Sequence, residues 1–116
     1  MSDETRLNNY AEFWPYYLGE HRRPGTRALH FFGTLLGLAL LAAAVVAWDW
    51  RLLIAALVAG YGFAWLGHIF IEKNRPATFR YPLWSFVSDF RMLDCWLAGR
   101  LAGELARHGI SEQDPR

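Results

Sequence analysis

Two long apolar runs without Asp, Glu, Lys or Arg dominate the pattern of hydrophobic and polar positions. They extend over Ala28–Trp48 and Leu52–Ile71, and only Asp49, Trp50 and Arg51 separate them. Each run has about 20 residues, the length that a helix needs to cross a hydrocarbon core of about 30 Å. Because the connection is so short, the second helix must return beside the first. The pattern predicts an all-α membrane protein built on a two-span antiparallel transmembrane helical hairpin.

Small residues indicate how the two predicted spans face each other. Gly33 and Gly37 form a GxxxG pair in the first run, and Gly60 and Ala64 follow each other at the same spacing in the second. In lipid, helices associate where small side chains let their backbones approach closely. An antiparallel register that places Gly37 opposite Gly60 also places Gly33 opposite Ala64. We therefore expect a leucine at Gly60 to force the two helices apart.

The same register brings two histidines to one level. In an antiparallel pair of helices, residues at the same level have nearly the same sum of residue numbers. His30 lies in the first run and His68 in the second, and their sum differs by only one from that of Gly37 and Gly60. The small-residue contact and the histidine pair thus point independently to one arrangement. The histidines fall near the open end of the hairpin.

Shorter helical patterns flank the hairpin. Residues 2–18 have apolar side chains at three- and four-residue steps and predict an N-terminal amphipathic helix. Residues 83–108 predict one C-terminal amphipathic helix, packed on the hairpin or lying in the interface, with a buried crossing as the alternative. Its apolar stripe consists of Leu83, Phe86, Phe90, Leu93, Leu97, Leu101 and Leu105. Asp94 falls in this stripe, where a carboxylate needs a partner, either an arginine or the outer ring nitrogen of a metal-bound histidine. Residues 109–116 are expected to form a disordered tail, which completes a single membrane domain over residues 1–116.

The charges predict an orientation. The net charge of the 116-residue chain is only +1, but basic residues gather at the open end of the hairpin, while the turn has only Arg51. The basic residues are Arg22, Arg23, Arg27, Lys73, Arg75 and Arg80. By the positive-inside rule, the open end and both termini are cytoplasmic, in a bacterial inner membrane or an equivalent of the endoplasmic reticulum. Basic residues beside a span favour contact with membrane lipid, and no nucleic-acid partner is expected. The single Cys95 excludes an internal disulfide and a cysteine metal cage.

Four histidines are the candidates for chemistry, namely His21, His30, His68 and His108. A lone histidine in an apolar helix is usually structural, but ionisable groups within a membrane are costly to bury and are therefore candidates for function. His21 lies in the connector just above His30, and Glu72 follows His68 by one helical turn. Together they predict a cluster of three imidazoles and a carboxylate. His108 is the weakest candidate, because a cation in the last turn of a helix also suits the helix dipole.

Imidazole and carboxylate ligands without a thiolate suit Fe(II), Zn(II) or Mn(II). Histidine–carboxylate sites with open positions are typical of non-haem Fe(II) oxygenases, in which dioxygen and substrate must both reach the metal. Zinc stays open as an alternative. The predicted metal ligands are His21, His30, His68 and Glu72.

Two segments resemble a known family of small membrane proteins. They are YYLGEHRRPGTRALHFFGT (Tyr16–Thr34) and GFAWLGHIFIEKNRPATF (Gly62–Phe79). The family pattern is a histidine, a second histidine nine residues later with a glycine after it, and then G-H-x-x-x-E-x-x-x-P-A. Here these positions are His21, His30 with Gly33, Gly67-His68, Glu72 and Pro76-Ala77. The characterised fungal member is the dioxygenase of fatty-acid α-oxidation in the route from phytosphingosine to odd-numbered fatty acids.

The resemblance implies an Fe(II)-dependent enzyme that uses dioxygen to remove one carbon from a 2-hydroxy fatty acid. His21, His30 and His68 would be the iron ligands, and Glu72 a further ligand or the group that orients one. The implied catalytic residues are His30, His68 and Glu72. The implied substrate-binding residues are Arg22, Arg23, Asn74 and Arg75. Two other functions stay open, a non-catalytic membrane scaffold whose GxxxG pair serves homo-oligomerisation and a zinc-dependent lipid hydrolase.

Overall fold

The computed structural model describes residues 6–111 and contains helices but no strand in that range, which confirms the all-α prediction. Residues 2–5 of the predicted N-terminal helix and residues 112–116 of the predicted tail lie outside the described residues. The helices are α1 (Tyr10–Gly19), α2 (Pro24–Ala47), α3 (Trp50–Leu66, continued by a π-helix over Gly67–Glu72), a 3-10 turn (Ala77–Phe79), α4 (Pro82–Leu97) and α5 (Leu101–Arg107). The chain divides into two compact units, His21–Pro76 and Met1–Glu20 with Ala77–Arg116.

The His21–Pro76 unit is built on α2 and α3, which are both long and apolar enough to cross a membrane. Pro24 opens α2 at a position where the proline's missing N–H is not needed. The helix ends at Ala47, and the next residue, Trp48, has a left-handed backbone with φ 54°. The side chain of Asp49 then caps α3 by accepting a 3.0 Å hydrogen bond from the backbone N–H of Arg51. Only two residues therefore connect the helices, one fewer than predicted.

Gly33 and Gly37 lie at the contact between α2 and α3, as predicted. A Cβ atom on Gly33 would lie 2.8 Å from the carbonyl oxygen of Ala59 and 2.9 Å from Cβ of Phe63. A Cβ atom on Gly37 would lie 3.5 Å from the backbone nitrogen of Gly60. The two backbones thus approach closely because these positions of α2 have no side chain.

Gly60 behaves differently from the glycines of α2. Its backbone lies opposite Gly37, but a Cβ atom on Gly60 would meet nothing within 4 Å. A side chain at this position therefore points away from α2. The prediction that leucine at Gly60 would force the helices apart is wrong, because the register places its backbone and not its side-chain direction at the contact.

In the other unit, α1 and α4 are joined by buried or half-buried polar contacts. The hydroxyl groups of Tyr10 and Ser88 lie 2.8 Å apart, and the Tyr17 hydroxyl donates a 2.6 Å hydrogen bond to Asp89. Burial, and then the negative charge of Asp89, raises the pKa of the Tyr17 phenol well above its usual value. The phenol consequently remains the donor of this bond.

The single helix predicted over residues 83–108 is broken in two. Helix α4 ends at Leu97 and α5 begins at Leu101. Between them Gly99 has φ 75°, a left-handed conformation that glycine adopts without steric cost and that commonly ends helices. The prediction overlooked this stop because the apolar period continues across it.

The apolar stripe on α4 faces away from the interior of its unit. Leu83 and Phe86 are 71% and 50% exposed, whereas Ser85 and Ser88 are 2% and 0% exposed. Leu93 is the stripe residue of α4 that is buried. Of the two buried serines, Ser88 bonds to the Tyr10 hydroxyl, whereas the Ser85 hydroxyl has no hydrogen-bond partner among residues 6–111.

Asp94 has the predicted arginine partner but not the predicted surroundings. Its Oδ2 lies 2.9 Å from Nη2 of Arg100, and its side chain is 72% exposed. Since the stripe faces outward, Asp94 stays accessible at its end. The prediction of a partner is confirmed, and Asp94 lies on the same outward face as the apolar stripe, as the predicted helical phase requires.

Candidate metal centre

Three buried histidines from three segments of the His21–Pro76 unit converge on one point. His21 lies in the connector before α2, His30 in α2 and His68 in the π-helix, and they are 1%, 4% and 2% exposed. One ring nitrogen of each lies within 4.8 Å of those of the other two. Across residues 6–111 this is the one such group of potential metal ligands, and it does not include His108.

The spacing of these nitrogens suits a metal ion. Nε2 of His21 and Nε2 of His68 are 2.9 Å apart. Two nitrogens at a typical metal distance of about 2.1 Å and at right angles to each other would be about 3.0 Å apart. The same distance suits a hydrogen bond between two rings, but a third buried imidazole is then added to the pair. A divalent cation would use one lone pair from each ring, and imidazoles suit Fe(II), Zn(II) and Mn(II) alike.

The π-helix sets the direction of the His68 ring. At Gly67 the α-helical pattern gives way to the wider π pattern, which ends at Lys73 with φ 63°. The backbone N–H of Asn74 then donates a 2.9 Å hydrogen bond to the carbonyl of His68. Such π segments change the direction of side chains and are frequent at functional sites. The predicted α-helical ridge from His68 to Glu72 is thus replaced by a widened turn.

Asn74 holds the far side of the His68 ring. Its Oδ1 lies 2.7 Å from Nδ1 of His68. With an amide oxygen as the partner, Nδ1 carries the proton and Nε2 keeps its lone pair directed towards His21. The sequence assigned Asn74 to substrate, whereas the structure places its side chain against a predicted metal ligand.

Glu72 is buried and contacts the connector. It is 1% exposed, and its Oε1 accepts a 3.1 Å hydrogen bond from the backbone N–H of Arg23. Its carboxylate is outside the group of three converging histidines. Glu72 thus bonds to the connector that also contains His21.

Arg27 is a site residue that the sequence interpretation used only for topology. It is 6% exposed, and its Nη1 donates hydrogen bonds of 2.9 and 2.8 Å to the carbonyl oxygens of His21 and Arg22. A guanidinium buried this far must be well hydrogen-bonded, because its desolvation is costly. The available signal was its position between His21 and His30 at the start of an apolar helix.

The other predicted substrate-binding residues are close in sequence to His21 or to Glu72, but they differ in exposure. Arg22 and Arg23 are half-buried, and Arg75 is exposed. Nε of Arg23 is buried and has no hydrogen-bond partner among residues 6–111. A buried N–H of this kind is available to an added carboxylate.

An apolar groove of about 590 Å³ runs along α3 and ends at Leu66, two residues before His68. It is lined by Ala55, Val58, Ala59, Gly62, Phe63 and Leu66. A Cβ atom on Gly62 would meet nothing within 4 Å. The missing side chain therefore keeps this part of the groove open.

Comparison with known protein families gives a match over most of the chain. The family described as 2-hydroxy-palmitic acid dioxygenase Mpo1-like matches residues 7–101, a range that includes the three converging histidines, Glu72 and Asn74. No curated protein and no solved structure matches the chain significantly. Because the match covers most of the chain and agrees with the resemblance seen in its motifs, the protein belongs to the Mpo1-like family.

Proposed function

We propose that the protein is a membrane-embedded, Fe(II)-dependent dioxygenase that removes one carbon from 2-hydroxy fatty acids. The observation that carries the proposal is the convergence of three buried histidines in a chain of this family. In the net reaction the C1–C2 bond breaks, C1 leaves as carbon dioxide and C2 becomes the carboxyl carbon of the shortened acid. Dioxygen accepts four electrons and yields one water, so no other reductant is required.

His21, His30 and His68 would hold the iron. Bound Fe(II) would supply the capacity to activate dioxygen, and a three-histidine set leaves coordination positions open for substrate. Zinc in the same ligands would favour hydrolysis instead. Metal identity is therefore the main alternative that experiment must resolve.

Three side chains would position the ligands. Asn74 fixes the proton of His68 on Nδ1 and so directs Nε2 inward. Arg27 and Glu72 both bond to the connector before α2. Arg27 donates a hydrogen bond to the carbonyl of His21, and Glu72 accepts one from the backbone N–H of Arg23. A connector without these contacts would leave His21 on a flexible segment.

The substrate would be bound at both of its ends. The unpartnered Nε of Arg23 would attract its carboxylate. Arg22, in the connector before α2, and Arg75, after the π-helix, would add positive charge. The acyl tail would occupy the apolar groove that leads along α3 towards His68. Each methylene removed from water there would contribute about 0.8 kcal/mol.

The membrane placement follows from the surfaces of α2 and α3. Within their most apolar windows only 33% and 28% of residues are buried, unlike the core helices of a water-soluble protein. Large apolar side chains are exposed along both helices, including Val46 at 87% and Val58 at 65%. We infer an antiparallel transmembrane hairpin with its basic open end, and so the metal centre, on the cytoplasmic side.

The reaction is tested with protein reconstituted in lipid vesicles and given 2-hydroxypalmitate labelled with ¹³C at C1. The expected products are labelled carbon dioxide and pentadecanoate, with one dioxygen consumed per substrate and none consumed by a His30→Ala variant. Labelled carbon retained in the acid would contradict the proposal. Release of labelled carbon dioxide under argon would contradict the requirement for dioxygen, and no turnover with iron bound would indicate a non-catalytic role.

A further inference from the structure

Over its first turns, helix α4 presents an apolar surface away from its own unit. This outward face consists of Leu83, Phe86, Val87 and Phe90, which are 71%, 50%, 48% and 37% exposed, and the exposed Asp94 ends it before Leu97. The rings of Phe86 and Phe90 also contact each other, with centroids 5.2 Å apart. Contiguous apolar surfaces of this kind mark sites that a partner or a membrane covers.

The opposite face of α4 is small and polar. Ser85 and Ser88 are almost fully buried there, and Ser88 bonds to the Tyr10 hydroxyl at 2.8 Å. A helix on the surface of a water-soluble protein has the reverse arrangement, with its apolar stripe inward and its polar residues outward. Helices next to lipid can turn small and polar residues inward and large apolar residues outward, because the surroundings are themselves apolar.

The charges of α4 leave the outward face free along its first two turns. Asp89 accepts a hydrogen bond from Tyr17, and the Arg91 guanidinium lies 4.0 Å from the centre of the Trp14 ring. The exposed Asp94–Arg100 pair comes only towards the end of the helix. Apolar residues followed by an ion pair suit the boundary between acyl chains and headgroups.

The length of α4 decides between crossing the membrane and lying on it. Its 16 residues give a helix of about 24 Å, shorter than the hydrocarbon core of about 30 Å. It also begins ten residues after Glu72, where the second apolar helix ends. The chain thus delivers α4 to the neighbourhood of the membrane surface.

We propose that α4 lies in the plane of the membrane interface, with its outward face inserted among the lipid acyl chains. The partner of this face is the bilayer and not a second protein chain. The inference rests on the membrane placement of α2 and α3 proposed above, but not on the catalytic activity. It adds a second attachment, from the unit that does not contain the metal centre.

The test uses full-length protein in vesicles of phosphatidylcholine and phosphatidylglycerol, with a spin label at one introduced cysteine in a Cys95→Ala background. Labels replace Phe86 on the outward face, Val46 on α2 as a lipid reference and Glu12 on α1 as a water reference. Collisions with dioxygen report lipid exposure, and collisions with a water-soluble nickel chelate report water exposure. The ratio of dioxygen to nickel collisions at Phe86 should be within about twofold of the ratio at Val46 and well above that at Glu12.

Each other result separates the underlying assumptions. If Phe86 behaves like Glu12 while Val46 meets lipid, α4 is not inserted and the proposal is overturned. If Val46 also meets water, the placement of α2 fails as well. Low collision rates of both reagents at Phe86, together with broadening from spin pairs, would show that a second copy covers the face and would equally overturn the proposal.

Discussion

Alanine at Gly33 should destabilise the protein, whereas alanine at Gly60 should stabilise it. A new Cβ at Gly33 would lie 2.8 Å from a backbone oxygen of α3 and 2.9 Å from Cβ of Phe63, closer than ordinary contact at 3.4–4 Å. Neither atom can turn away, so α3 itself must shift. A new Cβ at Gly60 meets nothing within 4 Å.

The magnitude follows from comparing the two variants. Replacing glycine by alanine in a helix gains about 0.5–1 kcal/mol at either site. Overpacking at Gly33 costs about 1–3 kcal/mol, a term absent at Gly60. Because the helix term is common to both variants, Gly60→Ala should be more stable than Gly33→Ala by about 1–3 kcal/mol.

Reversible unfolding in mixed micelles, driven by sodium dodecyl sulfate and followed by tryptophan fluorescence, measures this difference. The wild-type protein should unfold between the two variants. Equal free energies of unfolding for Gly33→Ala and Gly60→Ala would refute the close approach of α2 and α3 at Gly33.

Three further predictions concern the metal centre, the groove along α3, and the unit that contains α1, α4 and α5. Asn74→Ala should weaken metal binding by about 10–100-fold in chelator competition, and Asn74→Asp, which keeps an acceptor, should lose less. Gly62→Leu should fill the groove and raise the KM for long-chain substrates more than for short-chain ones, while Gly60→Leu, equally open but outside the groove lining, should not. The indole N–H of Trp14 donates a hydrogen bond to Glu104 and lowers the pKa of its carboxyl. The ionised Glu104 therefore stabilises the fold at pH values above its unfolded pKa, and this stabilisation is lost as pH falls through its folded pKa. Glu104→Gln should flatten that acid-side decrease in the unfolding free energy.

The two long apolar helices could be predicted because their sequence signals are strong and local. Two apolar runs without charged side chains required helices of nearly fixed length, and the short connection required a reversal. The positions of His30 and His68 within those runs then placed the two rings near each other. The convergence of His21 on this pair depended on the connector that precedes α2. It could be expected because His21 is close to His30 in sequence.

The roles of Asn74 and Arg27 could not be predicted from apolar periodicity. Asn74 reaches His68 only because the chain adopts a π-helix and then a left-handed residue, Lys73. Arg27 was assigned to topology because a basic residue near a span usually stays in water. Its two hydrogen bonds to connector carbonyls offset the cost of burying its charge. The sequence does not reveal that these carbonyls lie within reach of its guanidinium.

The direction of the apolar stripe on α4 could not be predicted for a different physical reason. In a water-soluble protein the apolar side of an amphipathic helix faces the interior, whereas at a membrane interface it faces lipid. Here Ser85 and Ser88 are buried, while Leu83 and Phe86 face outward. Periodicity identifies the two faces of a helix but not which of them lies inside.

The central claim is that His21, His30 and His68 hold one catalytic iron ion. The most direct test measures iron content and 2-hydroxypalmitate-dependent dioxygen uptake of anaerobically purified wild-type, His68→Ala and His108→Ala proteins. His108 is the matched control, because it lies after α5 beside Glu104 and outside the histidine group. The wild-type and His108→Ala proteins should bind iron and consume dioxygen, and His68→Ala should do neither while remaining inserted in the membrane. Full iron content and dioxygen uptake in His68→Ala would contradict the account.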